Sequence, residues 1–210
     1  MVELLVRSGV LRFGEFTLKS GRQSPYFFNL GALHTGAAIQ QLAEAYAAHV
    51  IASGIEFDVV FGPAYKGIPI AVATAEALAR AGRDAAWAFN RKEAKAHGEG
   101  GAFVGGDVGG RVLLVDDVLT AGTAIRESAG MIDEAGGRVV GVVIALDRRE
   151  LNDDGRTAVQ ALSEQLSAPV SSLLTLEDVI DYLDGDGGPD HHRDALRARI
   201  RDYREAYCAR

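Results

Sequence analysis

Short aliphatic runs that alternate with helical patterns are the feature that most constrains how this chain can fold. The aliphatic runs occupy residues 58–61, 85–89, 111–115 and 139–146, and helical periodicity covers 37–52, 68–81 and 123–135. Strands that read as continuous apolar runs are buried on both faces, as in a parallel sheet that helices cover on each side. The sequence therefore predicts an α/β fold, with ligands bound beyond the carboxyl ends of the strands.

The two ends of the chain fall outside this alternation. Residues 1–34 carry aromatics and glycines and are predicted to form a small N-terminal cap, or hood, over the sheet edge. Residues 35–183 are the predicted α/β core. A stretch rich in Gly and Asp at 184–189 precedes an Arg-rich amphipathic pattern at 190–207. We expect residues 184–210 to be a linker and a helix packed on the core, so that the whole chain is one domain.

Composition and charge exclude several classes of protein. The 210 residues are 48% hydrophobic and 24% charged, which suffices for a single buried core and excludes a disordered chain. A net charge of -7 argues against nucleic acid or an anionic membrane as a partner. The longest aliphatic stretch is far shorter than the ~20 residues of a membrane helix, and no export signal is visible. We therefore expect a cytoplasmic chain. Its single cysteine, Cys208, is expected in a fraying tail.

Two adjacent carboxylates follow the third aliphatic run. After Asp116 and Asp117 come Val118, Leu119, Thr120, Ala121, Gly122, Thr123 and Ala124, and then a helical pattern. The carboxylates can accept hydrogen bonds from vicinal sugar hydroxyls, while residues 120–124 can surround a phosphate at the positive end of a helix. Ribose 5-phosphate has this layout, and we expect the segment to face solvent. The alternative is an ordinary acidic strand end followed by a Thr N-cap.

The distribution of lysine is a second, independent signal. Of the 22 basic residues 18 are Arg, and the four lysines are Lys19, Lys66, Lys92 and Lys95. All four lie in segments rich in glycine or aromatic residues. A compact ammonium suits phosphate oxygens where the planar fork of Arg does not fit, so these segments are predicted to bind phosphate. The alternative is four solvated side chains.

The sequence VLLVDDVLTAGTA at 112–124 resembles the phosphoribosyl-pyrophosphate signature of type I phosphoribosyltransferases. Three further segments, 18–29, 62–67 and 90–101, resemble the orotate phosphoribosyltransferase family, and the similarity runs from about 18 to 148. The resemblance implies transfer of the phosphoribosyl group of 5-phospho-α-D-ribose 1-diphosphate to orotate. The products would be orotidine 5′-phosphate and diphosphate, in pyrimidine synthesis.

The resemblance also implies the site residues. It assigns catalysis to Asp116, Asp117, Lys95 and His97. It assigns phosphoribosyl pyrophosphate to Lys19, Tyr65, Lys66, Arg91, Lys92, Lys95 and His97, together with residues 116–124. Orotate would contact Phe27, Phe28, Thr120 and Arg148. Two adjacent residues on an extended segment point to opposite sides, so at most one of the two phenylalanines can fill the core.

The expected cofactor is Mg²⁺, bound mainly through the diphosphate and ribose of the substrate, with no dedicated metal site on the chain. His191 and His192 lack acids at ligand spacing and are expected to be surface residues. The family resemblance further implies a homodimer with shared active sites, in which a lid at 91–101 carries Lys95 and His97 to the neighbouring subunit. The alternative for this segment is a solvated charged hairpin. Ala96 stands where the family pattern has an acid.

Two rival functions stay open on the sequence. A phosphoribosyltransferase for another nucleobase would keep the acid pair but would not need the segment from Lys19 to Phe28. A regulator that senses phosphoribosyl pyrophosphate would keep the binding loop without catalysis, although the cationic residues of 91–101 argue against it.

Overall fold

The computed structural model describes residues 1–18, 20–95, 101–119, 122–185 and 191–209. In chain order the elements are α1 (Val2–Arg7), β1 (Leu11–Thr17), β2 (Gln23–Phe28), a 3-10 helix (Leu30–Ala32), α2 (Gly36–Ser53), β3 (Val59–Phe61), α3 (Gly67–Arg80), β4 (Ala86–Lys95), β5 (Gly101–Gly105), β6 (Arg111–Val118), α4 (Thr123–Glu134), β7 (Arg138–Asp147), α5 (Ala158–Leu166), β8 (Val170–Thr175), α6 (Leu176–Asp184) and α7 (His191–Tyr207).

The main sheet has six strands in the order β5-β4-β3-β6-β7-β8. Every neighbouring pair is parallel except β4 and β5, which form an antiparallel hairpin at one edge. The predicted α/β fold is confirmed, and each aliphatic run of the sequence lies in a strand. The short strands β5 and β8 were not predicted, because β5 carries glycine at both ends and β8 contains two polar serines.

Helices cover both faces of the sheet. The side chains of β6 alternate between the two faces and so contribute to two hydrophobic clusters. Leu113 and Val115 pack with residues of α2, α3 and α6. Val112 and Leu114 point to the opposite face and pack with α4 and α5. Side chains of successive strand residues alternate between faces, so a continuous apolar run is what a strand between two helical layers requires.

Helix α2 connects this packing to the predicted site. The helix begins where the Thr35 hydroxyl accepts a hydrogen bond from the Ala38 amide, and it ends at Gly54, whose φ of 65° is left-handed. Tyr46 is fully buried on its inner face, and its hydroxyl donates to the backbone carbonyl of Asp116 at 2.8 Å. The helix thereby supports the end of β6 that carries the acid pair.

The N-terminal segment forms its own two-stranded antiparallel sheet from β1 and β2. Tyr26 and Phe28 of β2 share one buried cluster with Ile200 and Tyr203 of α7. The two ends of the chain therefore pack together over the α2 and α6 side of the main sheet. The proposed division at 34 and 184 stays a prediction.

The expectation that Cys208 lies in a fraying tail is wrong. Cys208 is buried, and its backbone pairs with Glu150 in an isolated antiparallel bridge. The reason is that α7 docks through Ile200 and Tyr203 and carries the tail against the segment that follows β7. Burial raises the pKa of the Cys208 thiol to about 12. Within the described part of the chain, no helix has the length and apolar character needed to cross a membrane.

Candidate active site

The turn between β3 and α3 is closed by two glycines that touch. A Cβ on Gly62 would lie 2.0 Å from the carbonyl oxygen of Gly67, and a Cβ on Gly67 would lie 2.8 Å from the carbonyl carbon of Gly62. Only glycine fits at either position, which explains the spacing GPAYKG. The Asn90 side chain of β4 accepts a hydrogen bond from the Ala64 amide at 2.9 Å. This compact turn projects Tyr65, which is 70% exposed, and it contains a cis peptide bond before that residue.

The acid pair lies inside the end of β6 rather than after it. The strand continues to Val118, which pairs with Leu146 of β7, so the expectation that the carboxylates face solvent is wrong. Asp116 and Asp117 are 9% and 6% exposed. Their side chains are ordered by local amides, since Asp116 Oδ1 accepts from the Asp117 amide at 2.9 Å and Asp117 Oδ1 accepts from Val118 at 2.8 Å.

Burial changes the acidity of the first carboxylate. Removal from water, reinforced by the neighbouring Asp117 charge, raises the pKa of Asp116 to about 7. The hydrogen bond from the Asp117 amide and the charge of Lys66 oppose this shift without cancelling it. Asp116 therefore changes its charge near neutral pH, whereas an ordinary aspartate is ionised throughout that range.

Lys66 joins the glycine turn to the acid pair. Its Nζ donates to Asp117 Oδ2 at 2.7 Å, with the lysine side chain 53% exposed and the aspartate side chain 9% exposed. The cation is thus at the mouth of the site and the anion is in its wall. Such a pair can present a carboxylate to sugar hydroxyls and an ammonium to phosphate oxygens within one site.

Helix α4 begins next to this pair, and Gly122 precedes its first residue. Gly122 is left-handed, with φ of 67°, and it has no side chain that could cap the helix. The alternative of a Thr N-cap is therefore wrong, because Thr123 is already the first helical residue. The first amides of α4 start at Thr123 and Ala124, both members of the predicted phosphate loop.

The β4–β5 hairpin carries the predicted cations of the lid segment. Lys92 Nζ lies 5.3 Å from the ring centroid of Tyr65, so two residues predicted to bind diphosphate are close together. Arg91 Nη1 donates to the backbone carbonyls of Gly101 and Phe103, each at 3.1 Å. In this structure Arg91 of β4 therefore bonds to the backbone of β5 and stabilises the hairpin. Its assignment to diphosphate stays a prediction.

Part of the predicted site is not described. Lys19, Ala96, His97, Thr120 and Ala121 lie outside the described residues, as do the side chains of Lys95, His191 and His192. Lys95 is the last residue of β4.

Arg148, predicted to contact orotate, lies just beyond β7 and is largely buried. Its Nε donates to Glu150 Oε1 at 2.6 Å and its Nη2 donates to the Ser24 hydroxyl at 3.1 Å. The guanidinium carbon lies 4.2 Å from the ring centroid of Tyr26. The sequence analysis missed these partners. Glu150, two residues away, was a visible signal, whereas Ser24 and Tyr26 lie more than a hundred residues away along the chain.

The side chains of Phe27 and Phe28, adjacent on β2, point to opposite sides of the strand, as predicted. Phe28 is buried in the core, and Phe27 is half-buried on the other side, where its ring stacks on Phe16 at 5.3 Å between centroids. The guanidinium of Arg12 also lies 5.4 Å from the Phe27 ring. Phe27 is therefore the more exposed member of the pair, which sequence alone could not decide.

The sheet, the buried acid pair and the glycine turn define the class of protein. The chain matches the phosphoribosyl transferase domain over residues 29–171. It is 53% identical to the orotate phosphoribosyltransferase of Pseudomonas paraeruginosa over 207 residues, which cover 98% of this chain and 95% of that protein. The crystal structure of orotate phosphoribosyltransferase from Francisella tularensis is 39% identical, with a TM-score of 0.86 and coverage of 99% and 98% of the two chains.

A second similar structure holds a ligand. Orotate phosphoribosyltransferase of Mycobacterium tuberculosis in complex with 5-phospho-alpha-D-ribosyl 1-diphosphate is 27% identical, with a TM-score of 0.64 over 84% of this chain and 94% of that one. The chain described here belongs to the orotate phosphoribosyltransferase family.

Proposed function

We propose that this chain transfers the phosphoribosyl group of 5-phospho-α-D-ribose 1-diphosphate to orotate, with the roles of its residues as follows. The observation that carries this proposal is the contact between Lys66 and Asp117, which joins a turn suited to diphosphate and a carboxylate suited to ribose in one site. The 53% identity to an orotate phosphoribosyltransferase over nearly the whole chain supports the reaction itself.

The reaction breaks the bond between the anomeric carbon of ribose and the diphosphate oxygen, and it forms a bond from that carbon to a ring nitrogen of orotate, which gives up its proton to solvent. The anomeric carbon gains positive charge as the diphosphate leaves with the bonding electrons. Asp116 and Asp117 hold the ribose hydroxyls and stabilise that positive charge, which is greatest in the transition state. No residue of the chain needs to act as a nucleophile.

The anionic groups of the substrate are held from two sides. Tyr65, Lys66 and Lys92 bind the departing diphosphate, with Lys19, Arg91, Lys95 and His97 as further candidates. The loop from Val118 to Ala124 surrounds the 5′-phosphate at the start of α4. The cations therefore attract the leaving diphosphate, while the loop that holds the 5′-phosphate keeps the anomeric carbon in line with the incoming base.

The fit of Mg²⁺ to these residues follows from its oxygen ligands. Mg²⁺ keeps several waters and binds through substrate phosphates and one or two carboxylates, a role that Asp116 and Asp117 could fill through the ribose they hold. Among the described residues, no group of three or more His, Cys, Asp or Glu side chains could hold a metal ion. When bound, the ion would neutralise charge on the diphosphate.

Orotate is proposed to bind beside Arg148 and the β2 segment that carries Phe27 and Phe28, with Thr120 as a further contact. Arg148 supplies the positive charge that an anionic base requires, and Phe27 supplies an aromatic face. Recognition of the carboxylate of orotate would separate this chain from phosphoribosyltransferases for neutral purine bases.

Initial rates test the reaction. The purified chain, given phosphoribosyl pyrophosphate, Mg²⁺ and orotate, should consume orotate and release diphosphate. Parallel assays with adenine, guanine, hypoxanthine and uracil should show much lower kcat/KM. Faster turnover of a purine would favour another nucleobase phosphoribosyltransferase. Binding of phosphoribosyl pyrophosphate without turnover of any base would favour the regulator.

We further propose a cytoplasmic homodimer whose subunits share their active sites through the lid. Two impaired variants, Lys95→Ala and Asp117→Asn, test the sharing when their subunits exchange at equal amounts. Half the dimers would be mixed, and one site of each mixed dimer would have both residues intact, so about a quarter of all sites should work. If Lys95 served its own subunit, every site would keep one lesion, and activity would not rise despite demonstrated exchange.

A further inference from the structure

The guanidinium of Arg148 is fixed from three directions. Glu150 accepts from Nε at 2.6 Å, Ser24 accepts from Nη2 at 3.1 Å, and the Tyr26 ring lies under the guanidinium carbon at 4.2 Å. Within the described residues, Nη1 donates no hydrogen bond. One nitrogen of the planar fork is therefore left for a ligand, while the other two and the plane itself are fixed.

Tyr203 of α7 completes this arrangement from the far end of the chain. Its hydroxyl donates to Glu150 Oε1 at 2.7 Å, the same oxygen that binds Arg148, and lies 3.5 Å from Arg148 Nη2. The side chains of Arg148 and Glu150 are only 10% and 22% exposed. A pair this buried gains little net stability over an apolar pair, so it depends on good geometry and on further hydrogen bonds. Tyr203 supplies one of them.

The backbone around this pair is also held by the end of the chain. The Leu151 amide donates to the carbonyl of Tyr207 at 2.8 Å, and the Ala209 amide donates to the carbonyl of Arg149 at 2.8 Å. The Cys208 thiol lies 3.5 Å from the carbonyl of Arg148. The segment that presents Arg148 is thus held by the last residue of α7 and by the two residues that follow it.

All the contributors to this arrangement except Glu150 share one property. Ser24, Tyr26 and Tyr203 all lie outside residues 29–171, the part that matches the general phosphoribosyl transferase domain. The acid pair and the glycine turn lie inside it. The matched part therefore carries the acid pair and the glycine turn, whereas three of the four groups that contact the Arg148 guanidinium come from the two ends of the chain.

We propose that Tyr203 and Glu150 are positioning residues that orient Arg148 toward the anionic group of the base. The inference rests on the proposed role of Arg148 in binding orotate. It assigns to α7 a part in base recognition. It also predicts that removing one hydroxyl on that helix weakens the use of orotate without affecting the use of phosphoribosyl pyrophosphate.

The test substitutes Tyr203→Phe, which removes the hydroxyl and keeps the ring. The KM for orotate should rise about five- to tenfold, as for the loss of one ordinary hydrogen bond, while the KM for phosphoribosyl pyrophosphate changes less than about twofold. Tyr207→Phe is the matched control, because Tyr207 lies on the same helix and is 39% exposed. Its ring packs on Tyr203 with centroids 5.1 Å apart. The control should leave both constants unchanged.

A double-mutant cycle separates this inference from the proposed function. Arg148→Ala should raise the KM for orotate selectively, and adding Tyr203→Phe to that variant should raise it no further, because the residue being positioned is gone. Glu150→Gln, which keeps an acceptor oxygen, should retain more orotate affinity than Glu150→Ala. A merely structural role for Tyr203 would lower thermal stability without this dependence on Arg148.

The outcomes are distinguishable. If Arg148→Ala acts selectively on orotate while Tyr203→Phe behaves like Tyr207→Phe, the positioning role is overturned and the role of Arg148 stands. Additive effects of the two substitutions also overturn it. If Arg148→Ala affects both substrates equally, Arg148 does not bind the base, and this inference falls with that assignment. Orotate turnover by the unsubstituted enzyme would still support the reaction.

Discussion

Two ion pairs lie at the carboxyl ends of neighbouring strands, and they differ in how firmly each is held. Lys66 and Asp117 meet at 2.7 Å at the end of β6, with the lysine side chain 53% exposed. Arg148 and Glu150 meet at 2.6 Å beyond β7, with the arginine side chain 10% exposed. The first pair has a cation on a flexible stem. The second is fixed by a hydroxyl, an aromatic ring and a second hydrogen bond from α7.

The difference corresponds to two kinds of ligand. A half-exposed ammonium is weakly bound to its partner, so an incoming diphosphate can draw it away from Asp117 at small cost. A buried planar fork whose other edges are occupied can recognise only a group that fits the remaining edge. We call Lys66 and Asp117 the open pair, and Arg148 and Glu150 the closed pair. The open pair thus suits a leaving group that must be released, and the closed pair suits selection of one base.

The largest expected effect comes from the anion of the open pair. Asp117→Asn should lower kcat/KM by about 10²- to 10³-fold, because it removes a charge that stabilises the transition state. The fold should lose at most about 1 kcal/mol, since the broken ion pair has an exposed partner. Initial rates and thermal unfolding measure the two quantities. Near-normal turnover in a folded variant would eliminate the ribose assignment.

The second prediction concerns the pH dependence of stability at Asp116. Its pKa is raised to about 7 in the folded chain, against an ordinary value of 3.8, so unfolding releases a proton and stability falls as pH rises. Between pH 5 and 8 this loss should be about 2–3 kcal/mol. Asp116→Asn is neutral throughout, so its stability relative to the unsubstituted chain should rise by that amount between pH 5 and pH 8, while its activity is lost.

Asp58→Asn is the control for that experiment. Asp58 lies at the opposite end of the sheet, where hydrogen bonds from Arg111 lower its pKa to about 2. It is ionised in both states between pH 5 and 8, so its replacement should not change the slope of stability with pH. Equal slopes for Asp116→Asn and the unsubstituted chain would show that Asp116 is ionised in the folded protein.

The third prediction tests whether the open pair requires lysine. Lys66→Arg keeps the charge but replaces a compact ammonium by a planar fork, and kcat should fall about tenfold. The free energy of unfolding should change little, because the side chain is half exposed. Chemical denaturation provides that control. An unchanged rate would mean that charge alone suffices, and the concentration of lysine in the predicted site would then carry no information.

The comparison also shows what sequence could predict. Lys66 and Asp117 were each predicted as site residues, because they lie in short local motifs, a glycine turn and an acid pair, each next to a strand with a clear apolar pattern. The contact between their side chains was not predicted. The sequence does not predict the burial of Asp116 and Asp117, because two charged residues after an apolar run ordinarily indicate the end of a strand. In fact β6 continues to Val118 through backbone pairing with β7, which no side-chain pattern records.

The closed pair was predicted only in part. Arg148 was found from its place after an aliphatic run, but its partners come from residues 24, 26 and 203, which tertiary packing alone brings together. The same holds for Cys208, whose burial follows from the docking of α7 through Ile200 and Tyr203. Local patterns predict elements and their ends, whereas contacts between distant segments depend on the assembled core.

The smallest effect on orotate binding is expected at Arg22, which lies on the far side of Glu150 from Arg148. Arg22 Nη1 lies 3.8 Å from Glu150 Oε2, while its Nη2 donates to the carbonyl of Leu151 at 3.0 Å. Arg22→Gln should change the KM for orotate less than about twofold, because the oxygen that binds Arg148 and Tyr203 is the other one and a long, partly exposed ion pair contributes little. The lost hydrogen bond to Leu151 should cost about 1 kcal/mol of stability. Steady-state kinetics and thermal unfolding separate the two effects. A rise in the orotate KM as large as that for Tyr203→Phe would add Arg22 to the residues that position Arg148.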